Sequence, residues 1–551
     1  MRDKREFMSL LKSLQGQSAE SLETLFGEFD FTRFVLKIRT AGAGHDTEGE
    51  VMLILHVPQL IAAFPPSLFK TAIRRTALED FLARKIGEVL DASAQDGTIR
   101  IAHPGPQILP RSSVSISQDY VEARLLARIP MAQGQVDAPS TVTLFFDRLP
   151  TIVNNALIHC YHDTRELARF ISAMEDADAV RHSLTKRGLV AFVQEATLLP
   201  GTSQPLSIDA ASAVQIEVPN SGSVRGLGIP AGVTLIMGDP YSGRHELIGA
   251  IASGIYNHIP SDGRSGVIST PDMVAVEAEP GRPIQRVDLS AFIEAPGKSA
   301  SDFSTACATA IESQMAGVAE AVEAGARALI FDEDTSVPAF LGADVSTLTG
   351  AGGSTLLTPL SLRARQIASQ WGASVIVGAC ACAEPFIASA DTIWLVEQGR
   401  IRDVTREVKE KHGAPPSPAS APQPLPPAGG APRLIIPSSI DPSLGEDDAR
   451  IQAQGSDELV FGRSLICLRS VPQMAEAAQV EAAGLLLYYA KLHYLDEARP
   501  MTEVLDEMDK DLASAGLDSI TRDIRSDLAR ARRYEIAATL NRLPTLRVLR
   551  P

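Results

Sequence analysis

The chain has 551 residues, of which 45% are hydrophobic and 21% are charged, and its formal net charge at pH 7 is −16. This length suits two to four domains with separate cores, and the negative total argues against a protein covered with nucleic-acid-binding surface. Five cysteines are too few for a disulfide framework, and no apolar run reaches the about 18 residues of a bilayer span, so the sequence predicts a cytoplasmic protein without a membrane segment.

Residues 1–205 are predicted to form an α+β domain. Apolar residues in this region alternate between strand-like runs and helical spacing. The predicted elements are strands at 34–38 and 51–57, a helix through 73–90, a hairpin formed by 114–117 and 121–129, and mostly helical structure over 150–195.

Residues 206–408 alternate strand and helix, the pattern of an α/β domain with a parallel sheet. The predicted strands are 233–237, 265–269, 273–277, 327–331, 373–377 and 392–396, and the predicted helices are 244–255, 305–325 and 359–371.

The most informative feature of this domain is a glycine-rich loop after the strand 233–237. Gly238 and Gly243 have the spacing of a Walker A loop, G-x-x-x-x-G-K-[ST], which lies between a strand and a helix and binds phosphate. The lysine position of that motif holds Arg244, and the Ser/Thr position holds His245. The candidate nucleotide-binding residues are Gly238, Tyr241, Ser242, Gly243, Arg244, His245 and Glu246.

A second feature supports the first. The apolar run 326–331 ends in Asp332 and Glu333, about ninety residues after the loop. In P-loop enzymes a carboxylate at this place holds magnesium through water, and the next acid polarises the attacking water. We therefore expect Asp332 to be the magnesium residue and Glu333 the catalytic base, if the protein is active.

The last third of the chain begins with a linker. Residues 409–450 are predicted to be a linker, because eight prolines among Gly, Ala and Ser in 413–432 cannot build a core. Residues 451–551 are predicted to form a mainly helical C-terminal domain, with a short strand near 459–461. Its last part, 521–551, carries eight arginines against three acidic residues. These arginines either brace a helix through ion pairs or form a nucleic-acid-binding face.

Several segments together resemble one family, the predicted ATPases of the ABC class. These segments are IRRTALEDFLARKI at 73–86, GLVAFV at 188–193, GLGIPAGVTLI at 226–236, GIYNHIPSDGR at 254–264, ALIFDEDTS at 328–336, ADTIWLV at 390–396 and RRYEIAATLNRLPTLRV at 532–548. The resemblance covers nearly the whole chain. It implies a RecA-like, ABC-type P-loop core preceded by an N-terminal domain and followed by a small helical domain. It also implies ATP and Mg²⁺ as cofactors, and it leaves a homodimer open.

The chain departs from this family in the loop. The family's loop ends in Gly-Lys-Ser-Thr, whereas this chain has Gly243, Arg244, His245 and Glu246. Arginine keeps a positive charge but is longer and flatter than lysine, and imidazole is a poor ligand for magnesium, which prefers oxygen. A carboxylate at Glu246 would lie in the first helical turn and repel phosphate there.

The signature motif departs as well. After Phe303-Ser304-Thr305 the family has Ser-Gly-Ser-Thr-Ser-Gln, whereas this chain has TAIESQ at 309–314, so Ser313 and Gln314 are its signature-like residues. The family's loop motifs are thus degenerate here, and we expect ATP or nucleotide binding with weak or lost hydrolysis. The alternatives are an active ATPase with Glu333 as base, and a nucleic-acid-associated scaffold module.

Overall fold

The computed structural model describes residues 2–41, 49–93, 97–294, 300–343, 348–350, 353–412, 424–445 and 449–550. The chain divides into two compact units. The first consists of Met1–Glu175 and Ser514–Arg530, and the second of Asp176–Ala513 and Ala531–Pro551. The domain boundaries expected from the sequence stay a prediction. Within the described ranges, none of the helices combines the length and apolarity that a membrane crossing requires.

The first unit mixes sheet and helix, as predicted. Its strands are β1 (Arg2–Asp3), β2 (Gly27–Asp30), β3 (Val35–Thr40), β4 (Glu50–Pro58), β5 (Ile99–Arg100), β6 (Gln107–Ile108), β7 (Val114–Ile116), β8 (Tyr120–Arg128), β9 (Met131–Ala132) and β10 (Gln135–Val136). Its helices are α1 (Lys4–Ser13), α2 (Gln59–Ala62), α3 (Ala72–Ser93), α4 (Ala138–Thr143), α5 (Leu149–Ala156) and α6 (Thr164–Lys186), the last of which continues into the second unit.

The main sheet of this unit has the order β1-β2-β3-β4-β8-β5, and β7 pairs with β8. The predicted hairpin is confirmed, because β7 and β8 are antiparallel neighbours. Strands β4 and β8 are buried at nearly every position, and because successive strand side chains point to opposite faces, both faces of this part of the sheet are covered. Elsewhere on this sheet Phe7 of α1 packs against Phe29 of β2, with ring centroids 4.2 Å apart.

The prediction of mostly helical structure over 150–195 is wrong at its end. Helix α6 stops at Lys186, and Gly188 with φ +65° turns the chain. The next six residues form a buried strand because their apolar and β-branched side chains fit a pleated, covered surface better than a helix.

The second unit contains the remaining elements. Its strands are β11 (Leu189–Gln194), β12 (Ser207–Ile208), β13 (Ala213–Val218), β14 (Gly222–Pro230), β15 (Val233–Met237), β16 (Asn257–His258), β17 (Val267–Ser269), β18 (Met273–Ala275), β19 (Ile284–Val287), β20 (Ile293–Glu294), β21 (Phe303–Thr305), β22 (Ala328–Asp332), β23 (Leu348–Gly350), β24 (Gly353–Leu357), β25 (Ser374–Ala379), β26 (Thr392–Glu397), β27 (Arg400–Asp403), β28 (Leu434–Ile435), β29 (Ile451–Gln454), β30 (Glu458–Phe461), β31 (Ser464–Cys467) and β32 (Val548–Leu549). Its helices are α7 (Arg244–Ser253), α8 (Ala310–Glu323), α9 (Pro338–Leu341), α10 (Leu360–Gln366), α11 (Thr405–His412), α12 (Ala477–His493), α13 (Met501–Ala515) and α14 (Arg533–Asn541). The last two residues of α13 belong to the first unit.

The central sheet of this unit has the order β12-β27-β26-β15-β25-β22-β18. Strands β26, β15, β25, β22 and β18 are parallel, and β27 returns antiparallel to β26. The sequence prediction that 233–237 and 327–331 share one largely parallel sheet is confirmed. Met237 pairs with Ala379, and Asp332 pairs with Gly378. The loop after β15 and the acids after β22 therefore lie at the same, carboxyl-terminal edge, on either side of β25.

Three predicted elements differ in detail. The strand expected at 265–269 is β17, which belongs to a separate sheet, β13-β14-β11-β17, because its partner is the unpredicted β11. The helix expected at 305–325 begins only after Thr309, whose side chain caps it, since Phe303–Thr305 pairs with β19. The helix expected at 359–371 ends in a π-helical turn and stops at Gly372, which has φ +67°.

The C-terminal part is helical but has a larger sheet than the sequence indicates. Strands β29, β30 and β31 form an antiparallel meander, and α12 packs on it. Of the predicted linker, residues 413–423 and 446–448 lie outside the described residues. The residues that follow 423 are anchored, because the Trp371 indole N–H donates to the carbonyl of Pro426 at 2.9 Å.

Candidate functional site

The glycine-rich loop joins β15 to α7 in the shape that its glycines require. Gly243 has φ +93°, a left-handed conformation that favours glycine. A Cβ at Gly238 would lie 2.5 Å from the Ser242 hydroxyl and 3.0 Å from the Val396 carbonyl. Tyr241 also has a positive φ and is fully exposed at the loop apex. The phosphate-loop shape expected from the spacing is therefore present, and α7 begins after it without a side-chain cap.

Arg244 turns away from solvent and lies among the acids that follow β22. Only 4% of its side chain is exposed. Its Nη1 donates to Glu333 Oε1 at 3.0 Å and to the Gly238 carbonyl at 3.3 Å, and its Nη2 donates to Asp334 Oδ2 at 2.9 Å. Nη2 also lies 3.6 Å from Asp332 Oδ1. The guanidinium is thus the cation that bridges the loop to the end of β22.

Glu333 is held on both of its carboxylate oxygens. Oε1 accepts from Arg244, and Oε2 accepts from the backbone N–H groups of Cys380 and Cys382 at 2.8 and 3.0 Å. Burial opposes its ionisation, but these two donors and the guanidinium outweigh that effect and lower the pKa of Glu333. The carboxylate predicted as a catalytic base is therefore fixed by three donors.

His245 and Asp332 form the other half of the cluster. His245 Nδ1 lies 2.7 Å from Asp332 Oδ2 and 3.5 Å from Asp334 Oδ2. Asp332 is nearly buried, with 7% of its side chain exposed, whereas the His245 side chain is 60% exposed. Asp332 Oδ1 also accepts from the backbone N–H of Asp334, at 3.2 Å. His245, at the position of the hydroxyl ligand, and Asp332, at the position of the magnesium carboxylate, thus contact one another directly.

The site carries an excess of negative charge. Burial would lower the pKa of Arg244, but the carboxylates of Asp332 and Glu333 outweigh it and raise that pKa. Burial, together with the charges of Asp332 and Glu279, raises the pKa of the nearby Glu277 carboxyl. Both shifts have the direction that clustered carboxylates produce.

The other predicted residues lie in different places. Glu246 is half-buried, and a Cβ on Gly201 would be 3.6 Å from its Cγ. Ser313 and Gln314 are buried in α8, where Ser313 Oγ accepts from Glu279 N–H and Gln314 Nε2 donates to Ser336 at 2.8 Å. Their hydrogen bonds therefore serve the packing of α8 against its neighbours.

Sequence reasoning missed three contributors to the cluster. Asp334 is the third acid of the run at 332–334, which was a visible signal. The backbone donors at Cys380 and Cys382 were invisible, because they belong to the turn after β25 and contact Glu333 across the sheet edge. Gly378 was missed too. It allows α7 to pack closely on β25, because a Cβ there would lie 2.5 Å from the Ile248 side chain of α7.

Magnesium with ATP does not fit this arrangement of side chains. Magnesium requires near-octahedral oxygen ligands at about 2.0–2.1 Å, but the hydroxyl position holds an imidazole that contacts Asp332. The positive side chain expected on phosphate contacts three carboxylates instead. The loop keeps its shape, whereas the metal and phosphate partners have been replaced by contacts within the protein.

The C-terminal arginines are mostly in ion pairs. Arg532 contacts Glu535, which is almost fully buried, and donates to the carbonyls of Pro271 and Met273. Arg533 pairs with Asp506, and Arg542 pairs with Glu279. These contacts favour the bracing interpretation for the three arginines.

Comparison with known proteins gives three matching family models. They are an ABC ATPase P-loop domain at residues 163–424, an "ATPase of the ABC class N-terminal" domain at 4–160, and an "MRB1590 C-terminal domain" at 450–549. No curated protein matches the chain. Among solved structures, an Atm1-family bacterial ABC exporter with ATP bound matches at 12% identity and a TM-score of 0.21. That match covers 52% of this chain and 54% of the exporter, so the chain spans about half of the exporter's length.

Proposed function

Since this chain belongs to the ABC-class ATPases, we propose that it is an ATPase-like protein that binds nucleotide weakly and hydrolyses it slowly or not at all. One observation carries the proposal. The guanidinium of Arg244, in the lysine position, pairs with Glu333 and Asp334 and lies 3.6 Å from Asp332. A nucleotide phosphate would have to draw this side chain away from all three acids.

The same contacts oppose turnover. Phosphoryl transfer in P-loop enzymes depends almost wholly on positioning and charge stabilisation. Here Glu333, the acid that would polarise water, has both oxygens occupied by Arg244 and by two backbone N–H groups. Its lowered pKa makes it a weaker base as well. A loop of this kind acts through conformation or partners rather than through repeated catalysis.

The test is magnesium-ATP binding and turnover by the purified full chain. Wild type is expected to bind ATP weakly, and its phosphate release should equal that of Glu333→Gln. The triple variant Arg244→Lys, His245→Ser and Glu246→Thr should bind ATP more tightly, because it restores a hydroxyl ligand and removes a repulsive carboxylate. Wild-type turnover that disappears in Glu333→Gln would overturn the proposal and favour the active ATPase.

A matched control distinguishes an effect at the loop from the general effect of replacing an arginine with lysine. Arg406→Lys changes an exposed arginine on α11 that pairs with Glu410 four residues later. It should leave ATP affinity unchanged, while Arg244→Lys alone should change it. Equal effects of the two single changes would contradict a role for the loop arginine.

The location of the protein, its partners and the nucleic-acid alternative are also part of this proposal. A cytoplasmic location is supported by the five cysteines, all of which are free thiols. A nucleotide is the partner that the proposal requires, and a homodimer is tested by sedimentation with and without ATP. The nucleic-acid alternative predicts salt-dependent RNA binding that is lost when Arg530 and Arg533 are changed to Glu.

A further inference from the structure

His245 and two of the neighbouring acids form a donor set of mixed nitrogen and oxygen. His245 Nδ1, one oxygen of Asp332 and one oxygen of Asp334 all lie within 4.8 Å of one another. Imidazole nitrogen with carboxylate oxygen suits Zn²⁺ and related transition-metal ions, whereas magnesium prefers oxygen alone. The replacement of the hydroxyl by His245 therefore changes which ion the site would select.

We propose that this site binds a divalent transition-metal ion of the Zn²⁺ class through His245, Asp332 and Asp334. The inference rests on the proposed function, because a site with working magnesium chemistry has no place for a different ion. The bound ion would join the first turn of α7 to the residues at the end of β22.

The distances require only small movements. Zn²⁺ bonds of about 2.1 Å to nitrogen and oxygen place tetrahedral ligands about 3.4 Å apart. His245 Nδ1 is 2.7 Å from Asp332 Oδ2 and 3.5 Å from Asp334 Oδ2. The His245 and Asp334 side chains are 60% and 51% exposed, so both have room to turn and solvent can supply the fourth ligand.

The charges favour a divalent ion. Asp332, Glu333 and Asp334 supply three negative charges, and Arg244 supplies one positive charge. These four side chains therefore carry a net charge of −2, which one divalent ion would balance. The Arg244–Glu333 contact at 3.0 Å can remain when the ion takes Asp334.

Arg244, which lies in the same cluster, provides a second observation. Its Nε–H is buried without a hydrogen-bond partner among the described residues, although the side chain is 4% exposed. Buried donors are almost always satisfied, and an arginine that served only to neutralise the acids would not leave one unused. In the proposed site, an oxygen bound to the ion, from water or phosphate, would accept from this donor.

The experiment titrates the full chain with Co²⁺ and Zn²⁺ alone, with no nucleotide. Co²⁺ reports its own ligands in its visible spectrum, and thiolate ligands give a separate charge-transfer band. We expect one equivalent of Co²⁺ to bind without producing the thiolate band. Zn²⁺ should displace the bound Co²⁺, whereas Mg²⁺ at the same concentration should not. His245→Ser and Asp334→Asn should each weaken Co²⁺ binding by about tenfold or more.

The control is His182→Ser. His182 also faces a carboxylate, with Nδ1 3.3 Å from Asp178 Oδ2, but on the exposed surface of α6. Unchanged binding in this variant, with unchanged melting temperatures in all variants, assigns the loss to the proposed site. The inference is overturned by a thiolate band, or by displacement of Co²⁺ at an equal concentration of Mg²⁺. It is also overturned if either site variant binds Co²⁺ as tightly as wild type.

The two proposals fail separately. Magnesium-ATP turnover that depends on Glu333 would refute the proposed function whatever Co²⁺ does. Unchanged Co²⁺ affinity in His245→Ser would refute the metal site but would not affect the prediction that turnover is absent.

Discussion

Replacing Arg244 with methionine is the sharpest perturbation of the cluster. Methionine keeps much of the length and apolar contact of the arginine stem but removes the guanidinium. Glu333 and Asp332 then lose their cation while 13% and 7% of their side chains are exposed. Asp334 also loses its partner, but it is half-exposed and water can replace the contact.

The expected cost follows from burial. Removing one partner of a buried ion pair destabilises a protein by about 3–5 kcal/mol, because a charge is left uncompensated. The exposed Asp334 adds about 0–1 kcal/mol at most, and the two backbone donors to Glu333 remain and moderate the loss. We therefore expect Arg244→Met to lower the free energy of unfolding of the second unit by about 3 kcal/mol. Arg244→Lys should cost less, because it keeps the charge.

The chain offers a convenient reporter for this measurement. Both of its tryptophans, Trp371 and Trp394, are buried in the second unit. Urea unfolding followed by their fluorescence therefore reports this unit, and Arg406→Met on the exposed face of α11 is the control, with an expected change within about 0.5 kcal/mol. An Arg244→Met transition within 1 kcal/mol of wild type would refute the buried ion-pair cluster and the reasoning built on it.

Three further outcomes are expected. Gly378→Ala should destabilise the second unit by about 1–3 kcal/mol, because its Cβ would lie 2.5 Å from a side chain of α7. The Cβ of Gly249→Ala on α7 would meet nothing within 4 Å, so this variant should stabilise the unit by about 0.5–1 kcal/mol. Urea unfolding measures both changes. Arg532→Met should lower the melting temperature clearly more than Arg533→Met, since the carboxylate partner of Arg532 is buried and that of Arg533 is half-exposed; equal shifts would contradict this. Burial raises the pKa of Glu79 to about 7, so the unfolded chain releases this proton first and stability is lost as pH rises from about 4.5 to 7. Glu79→Gln should therefore gain stability relative to wild type at pH 8 but not at pH 4, and a gain independent of pH would disprove the assignment.

Much of the fold followed from local sequence patterns. The strand at 233–237, the loop glycines and the acids at 332–333 were readable because apolar runs, turn residues and their spacing are local properties. Their meeting at one sheet edge also followed, because parallel strands that share a sheet end on the same side. The segment 189–194 was missed, since a short apolar run does not by itself distinguish strand from helix, and only pairing with β14 and β17 decided it.

The sequence by itself determined that this chain has a phosphate-loop shape with arginine, histidine and glutamate in place of lysine, hydroxyl and hydroxyl. Only the tertiary structure decided what these side chains do. The direction of Arg244 depends on acids about ninety positions away, and the state of Glu333 depends on backbone donors in the turn after β25. Such contacts depend on which strands lie side by side. A long, charged side chain such as that of Arg244 turns toward nearby opposite charges once folding has brought them within reach.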